Sequence, residues 1–379
     1  MTTTLQQNQV LYHSLIFGCD PELFFEQNGR VIGAEKVIAE AGLSSKGGNN
    51  GCYGKDRAFV LDGVQVELNP SPHHCRANLG NELSASFRAL KQHLAGMKDI
   101  TASFRSVVDV DKAELASLSE KAKVLGCAPS LNMYDKAATV SVNAATYTKR
   151  SAGGHIHIGF GESMYRPIPH IMPHREELVP LLDVLVGLPS VLVDRDPHAA
   201  ERRQVYGRAG EYRLPAHGVE YRTLSNFWLR SYQLMSMVMG LTRLAASVLL
   251  TKLAPPAAYY CYFPSKPWNA PATLLRSVDL ELVREAINTN DLMLAKKAFE
   301  PVQAFIRAHV LHGDLGLNAA LLDDFSYFTK VVEEKGIEYW FPQDPIDHWC
   351  NLPEGHTCGW EHFLANKVRI DRLKAGETA

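Results

Sequence analysis

Ionisable and strongly polar side chains spaced two apart recur in four short apolar segments of this 379-residue chain: Asp20 with Glu22, Gln65 with Glu67 and Asn69, His155 with His157, and Glu220 with Arg222. Residues two apart in a strand share one face, about 6–7 Å from each other. Between them stand Val66, Leu68, Ile156, Ile158 and Tyr221, which would turn to an apolar layer. Carboxylates and imidazoles gathered from several strands form a donor set for a hard divalent cation. Magnesium takes oxygen ligands and keeps waters or substrate phosphates in its shell, so two or three carboxylates suffice. Taken singly, each pair is also an ordinary surface feature, and it is their co-occurrence that points to a site.

Between Asp194 and Arg222 lie Arg195, Arg202, Arg203, Arg208, Arg213 and Arg222, with no lysine among them. Guanidinium forks match phosphate oxygens in a bidentate way that an ammonium cannot. Gly207, Gly210 and Gly218 let backbone approach a ligand. The same stretch carries Asp194, Asp196, Glu201, Glu211 and Glu220, so a solvated, salt-bridged loop is the competing reading. Two nucleotide motifs fail: Asn49 to Lys55 lacks the leading glycine and trailing hydroxyl of a P-loop, and Gly159-Phe160-Gly161 lacks the third glycine of a dinucleotide fingerprint. The Gly47–Gly51 loop is a candidate lid or a plain connection.

The elements that must carry these groups are legible as patterns. Short apolar runs separated by turn residues predict strands at Ser14-Phe17, Leu23-Phe25, Arg57-Leu61 and Val64-Leu68, then at Ser151-Phe160, Glu211-Arg213 and Val219-Leu224. Helical spacing runs from Asn78 to Gly96 and from His174 to Leu192, where Pro180 and Pro189 should break or kink it. Further helices are expected at Tyr232-Leu253, Asp279-Ile287 and Asp291-Ala308. Strands and helices are segregated, which predicts an α+β fold with an antiparallel sheet. One domain over 1–379 is expected, sheet-rich over about 14–228 and mainly helical over about 229–379.

Bulk properties exclude some classes. A net charge of -2 provides no global field to gather nucleic acid or anionic lipid. Met235 to Ala258, the most apolar stretch, is interrupted by Arg243 and Lys252 and reads as a buried helix. The N-terminal residues lack a secretory pattern, and seven scattered cysteines suggest reduced thiols, so a cytoplasmic protein is expected.

The segments GCDPELFF, DGVQVELNPSP, GGHIHIGF and YGRAGEYRLPAHGVEYRTLSNFW, spread over about Gly18 to Trp228, resemble the successive motifs of the phage- and bacterium-encoded amidoligases of the glutamine synthetase and glutamate-cysteine ligase superfamily. The resemblance implies a curved antiparallel sheet whose concave face forms an active-site funnel, with magnesium ions bridging ATP and substrate. It implies metal-holding roles for Asp20, Glu22, Glu67, His155 and Glu220, relatives usually carrying glutamate where Asp20 stands. Catalytic roles fall to Arg213, Arg222 and Glu220. Nucleotide contacts are expected from His157 and from the arginine run Arg195, Arg202, Arg203 and Arg208.

The expected reaction is ADP-forming amide synthesis through an acyl phosphate, joining a small-molecule or peptide carboxylate to an amine, with homo-oligomeric assembly carried over from relatives. A zinc amidohydrolase is the rival that His-x-His suggests, and a non-catalytic nucleotide-binding module on the same fold is a second. A kinase-like guanidino phosphotransferase is a related alternative. His348, Cys350, His356 and Cys358 repeat a His-x-Cys pattern that could close a structural zinc site or form an aromatic loop. Met235, Met237 and Met239 read as helix packing.

Overall fold

The computed structural model describes residues 15–38, 59–123, 130–135, 147–160, 172–253, 269–310, 328, 336 and 338–352. Residues 41–56, including Gly47–Gly51, and the pair His356 and Cys358 lie outside the described residues.

Among the described residues, twelve strands form two main sheets and a separate pair. The first sheet has the order β1 (Ile16–Cys19), β10 (Ile156–Gly159), β12 (Gly218–Tyr221), β11 (Glu211–Arg213), β8 (Leu131–Asn132). The second has the order β3 (Arg30–Ile32), β2 (Glu22–Gln27), β5 (Gln65–Leu68), β4 (Phe59–Asp62), with β6 (Ile100–Ser103) also paired to β2. β7 (Val107–Asp109) pairs with β9 (Lys149–Ser151). Every one of these pairings is antiparallel, as the segregated pattern predicts. β3, β6, β7 and β8 have no counterpart in the sequence reading, being short or carrying too few apolar residues to alternate visibly.

Alternation in β2 shows why the second sheet is buried on both sides. Leu23 and Phe25 enter the large core, while Phe24 enters a smaller one with Val31, Val64, Val108 and Leu115. In β5, Val66 and Leu68 face the large core, so Gln65 and Glu67 project to the other side, where Glu22 is Glu67's direct cross-strand neighbour.

Helices cover the large core. Arg76–Leu94 matches the predicted helix, with the chain turning at Ala95 and Gly96. Tyr232–Leu253 runs over the predicted span and buries Met235, Met237 and Met239. Among the described residues no helix is long and apolar enough to cross a membrane. Asp279 and Asp291 accept hydrogen bonds from the first free amides of Leu280–Thr289 and Leu292–Phe305, the role short acidic side chains fill at helix starts.

The segment expected to break or kink at two prolines is continuous. Leu178–Leu182 continues through a wide turn at Asp183–Gly187 into Leu188–Val191. In that turn Leu188 N–H reaches the Asp183 carbonyl, five residues back. Pro189 has no N–H to offer the ladder, and it sits in the first turn of Leu188–Val191, just after the widened turn. The widened turn also seats Asp183 against the sheet, where the buried carboxylate accepts a hydrogen bond from Tyr221 Oη at 2.7 Å.

Cys19, Cys75 and Cys350 carry free thiols. His348 uses Nε2 to accept from Tyr232 N–H at 3.2 Å, a packing role.

Candidate active site

Register brings the predicted groups together. In the first sheet Gly18, His157, Glu220 and Arg213 are successive cross-strand neighbours, Gly18 opposite His157, His157 opposite Glu220 and Glu220 opposite Arg213. Directly opposed residues of antiparallel strands project to one face, so this row presents an imidazole, a carboxylate and a guanidinium side by side. The neighbouring row, Cys19, Ile156, Tyr221 and Tyr212, is buried on the other face.

Asp20 lies in the link between β1 and β2, where the chain leaves one sheet for the other. Its Oδ2 is 3.2 Å from His157 Nε2, and its Oδ1 is 3.1 Å from His155 Nδ1. Burial would raise the Asp20 carboxyl, but the charges and hydrogen bonds of His155 and His157 override it and hold Asp20 well below the usual carboxylate range. His157 is held above its ordinary value: burial opposes this and the Asp20 carboxylate outweighs it. Burial and the adjacent Arg222 push His155 down to about 4, so its ring is neutral near pH 7. His157 Nδ1 also meets His217 Nε2 at 3.1 Å.

Glu22 starts β2 across Pro21 and turns into a different group. One oxygen each from Glu22, Asp62 and Glu67 lie within 4.8 Å of one another, as do one oxygen each from Asp20 and Glu220 and a ring nitrogen of His157. Burial, then the Asp62 charge, raises Glu22 to about 8. Burial, then the charges of Asp20, Glu22, Asp62 and Glu220, raises Glu67 to about 9. Asp62 is raised by burial and by Asp20. Gln65 Nε2 donates to Glu22 Oε2 at 3.3 Å, and Gly153 N–H donates to the same oxygen at 2.5 Å. Glu22 N–H donates to Gly153 O at 2.9 Å in return, and Asn226 Nδ2 donates to Glu22 O at 2.9 Å.

The glycines of the GGHIH segment are explained by close approach. A Cβ on Gly153 would stand 2.3 Å from His155 Nε2, and one on Gly154 would stand 2.3 Å from Ser225 O and 2.4 Å from Trp228 Nε1. Neither position has room for a side chain.

Arg222 is fully buried and bridges the arrangement. It donates to Glu220, to Tyr206 Oη at 2.5 Å and to Ser130 Oγ at 2.9 Å. Arg213 lies 3.6 Å from Glu220 and is the more open of the two, its side chain 28% exposed against 1% for Arg222. The rest of the arginine run lies elsewhere. Arg202 is buried and donates to the carbonyls of Ala152, Thr223 and Arg222. Arg203 is buried and donates to Asn290 Oδ1 at 2.6 Å. Exposed Arg195 donates to the carbonyls of Leu192 and Asp194, and half-buried Arg208 contributes its carbonyl to Thr223 Oγ1.

Asp62, Tyr206, His217 and Ser130 were not singled out by spacing. Asp62 precedes Gly63, and Asp-Gly between two apolar runs reads first as hairpin-turn chemistry. No pattern distinguishes the other three.

Residues 123–309, just under half of the chain, match the family model described as "Phage phiEco32-like COOH.NH2 ligase-type 2". Over that stretch the resemblance to carboxylate-amine ligases is shown; the GCDPELFF and DGVQVELNPSP segments precede it. No curated protein matches the chain. Among solved structures, the crystal structure of a bifunctional glutathione synthetase from Pasteurella multocida is similar with a TM-score of 0.34 and 10% identity, over 90% of this chain and 54% of that one. This chain thus spans about half the length of that protein.

Proposed function

From the ligase resemblance over residues 123–309, we propose that this protein is an ATP- and magnesium-dependent carboxylate-amine ligase that forms an amide through an acyl phosphate, on a glutamine-synthetase-like sheet whose site face is a funnel. One observation carries the reading: two cation-ready groups, Asp20/His157/Glu220 and Glu22/Asp62/Glu67, adjoin Arg213 and Arg222 at the junction of two sheets. The donors fit magnesium. Five of the six are carboxylates, and the second group consists of acids raised by burial and mutual repulsion, a state that a divalent cation relieves. A zinc hydrolase built on His-x-His is less well supported, because the two clusters contain only His157 between them.

A free carboxylate does not react with an amine at neutral pH because its oxygen is a poor leaving group. In the proposed reaction a substrate carboxylate oxygen attacks the γ-phosphorus of ATP and ADP departs. The amine nitrogen then attacks the acyl carbon, inorganic phosphate departs, and the amine gives up a proton. Such phosphoryl transfer rests on positioning and electrostatic stabilisation. Magnesium, when bound by Glu22, Asp62, Glu67, Asp20 and Glu220, would neutralise polyphosphate charge. Arg213, the open guanidinium, meets the transferred phosphoryl group, and Arg222 holds Glu220 in place beside it. His157, paired with Asp20 and in contact with His217, faces the nucleotide phosphates. Arg195 and Arg208 are outlying candidates for nucleotide contact, and Arg202 and Arg203 brace the loop that carries Tyr206.

ADP release measured over a matrix of carboxylates and amines, with mass spectrometry of the products, tests this. Amide and ADP formed in equal amounts only when both substrates are present is the expected outcome. ADP release with no amine present, leaving a stable phosphorylated product, would replace the ligase with a phosphotransferase.

A further inference from the structure

Resting on that reading, we infer that Ser130 is a further substrate-contacting residue: its hydroxyl donates into the site beside Arg213, and the two make the β11–β8 end of the first sheet a subsite for a phosphoryl oxyanion.

Register places Ser130 on the site face. β8 pairs with β11 through Asn132 opposite Glu211 and Leu131 opposite Tyr212, so Ser130, one residue further along, comes opposite Arg213. The row that begins at Gly18 and runs through His157, Glu220 and Arg213 thus ends at a hydroxyl. Directly opposed residues share a face, and a contact agrees. Arg222, two residues after Glu220 on that face, donates through Nε to Ser130 Oγ at 2.9 Å. The row changes character along its length. At β10 and β12 it offers an imidazole and a carboxylate to a cation, whereas at β11 and β8 it offers a guanidinium and a hydroxyl.

A guanidinium can only donate, so Ser130 Oγ is the acceptor in its bond to Arg222 and keeps its own proton to give. Among the described residues no acceptor takes that proton. The neighbouring polar side chains at this end are engaged in holding backbone. Glu211 Oε2 accepts from Gly207 N–H at 2.9 Å. Asn132 Nδ2 donates to Ala209 O at 3.0 Å, and its Oδ1 accepts from the N–H groups of Tyr134 and Asp135. Ser130 is half-buried and the Arg213 side chain is 28% exposed, so neither is sealed in the core. A hydroxyl that accepts from a cation is polarised by it and donates more strongly. Side by side, the hydroxyl and the guanidinium suit two oxygens of one tetrahedral anion, which in the proposed reaction is the phosphoryl group on its way from ATP to the substrate carboxylate.

The test uses the full-length chain with inorganic phosphate as the probe, titrated by calorimetry in millimolar magnesium, and manganese(II) affinity is read separately. Ser130→Ala should weaken phosphate binding by about 10-fold or more, the scale for a hydrogen bond to a charged group. Manganese affinity should be unchanged, and Ser130→Thr, which keeps the hydroxyl, should bind phosphate like the parent. Ser130→Cys retains the shape with only a weak donor, so it carries the same prediction if alanine disturbs the fold. Undiminished phosphate affinity in Ser130→Ala and Ser130→Cys overturns the proposal. So does a parallel fall in phosphate and manganese affinity, which would make Ser130 a prop for Arg222 and Glu220 alone, and so does a parent chain that binds no phosphate. A parent that binds phosphate through Ser130 yet makes no amide refutes the ligase reading and leaves the subsite standing.

Discussion

The two carboxylate clusters on either side of Pro21 are opposite in electrostatic character. In the first, Asp20 is matched by two imidazoles and held ionised, and Glu220 is matched by Arg222 and Arg213. In the second, Glu22, Asp62 and Glu67 face one another, and all three are raised. The same side-chain types within one site thus reach different protonation states because one group is given its cations by the fold and the other is not. That difference marks the second cluster as the place where an exogenous cation gains most, since it replaces protons and relieves repulsion at once.

The strongest way to break this contrast is to remove the internal cation. Arg222→Ala should lower ADP release by about 10- to 100-fold, the scale for losing a residue that orients a metal-holding carboxylate. It should also destabilise the chain by about 1–3 kcal/mol, because buried Glu220 loses its closest partner and keeps only the longer Arg213 contact. Steady-state assays and urea unfolding measure the two effects. Near-parent activity would make the guanidinium dispensable and equalise the clusters.

A second prediction separates the clusters by pH. Glu22 and Glu67 keep protons in the folded chain that the unfolded chain releases near 4.5, and they give them up only at about 8 and about 9. The folded state therefore binds more protons across that window, so metal-free stability should fall as pH rises through it. Asp20 has the reverse sign: its contribution is present above its ordinary 3.8 and is lost only as pH falls below that. Urea midpoints taken from about pH 5 to about pH 9 should decline without metal and flatten with millimolar magnesium. Midpoints that climb with pH, or that ignore magnesium, would contradict the assignment.

The smallest expected effect is a control remote from both clusters. Asp291→Ala removes the cap that accepts from Met293 and Leu294 N–H and should cost about 1 kcal/mol, with manganese affinity unchanged. A change in metal binding there would mean that the site is coupled to the helical part more strongly than its contacts suggest.

The strands that build the site were legible where period-two alternation was strong. His157, Glu67, Glu220 and Arg213 lie on the strands that their spacing predicts. Spacing misled at Asp20 and Glu22. Two residues apart, they read as one strand face, yet Asp20 sits in the link before Pro21 and Glu22 opens the next sheet, so they serve different clusters. The lysine-free arginine run was read for its fit to phosphate, but a guanidinium fork satisfies backbone carbonyls equally well, and Arg202 meets three of them. Only tertiary placement separates those two uses. Asp62 was hidden by its neighbour Gly63, because turn chemistry accounts for an aspartate there with nothing left over. Tyr206 carried no signal, since a lone tyrosine beyond a short helix has no period.

The wide turn at Asp183–Gly187 has a consequence for how this chain can vary. Its hydrogen-bonded loop holds one residue more than an ordinary helical turn, so a single-codon deletion between Leu182 and Leu188 would close it to regular winding and move the residues of the turn itself relative to the sheet. Asp183 would then rotate away from the phenol of Tyr221, stranding a hydroxyl beneath the very strand that carries Glu220. Insertions and deletions should therefore be far rarer in these five residues than point substitutions, a genetic footprint readable in any collection of variants selected for activity.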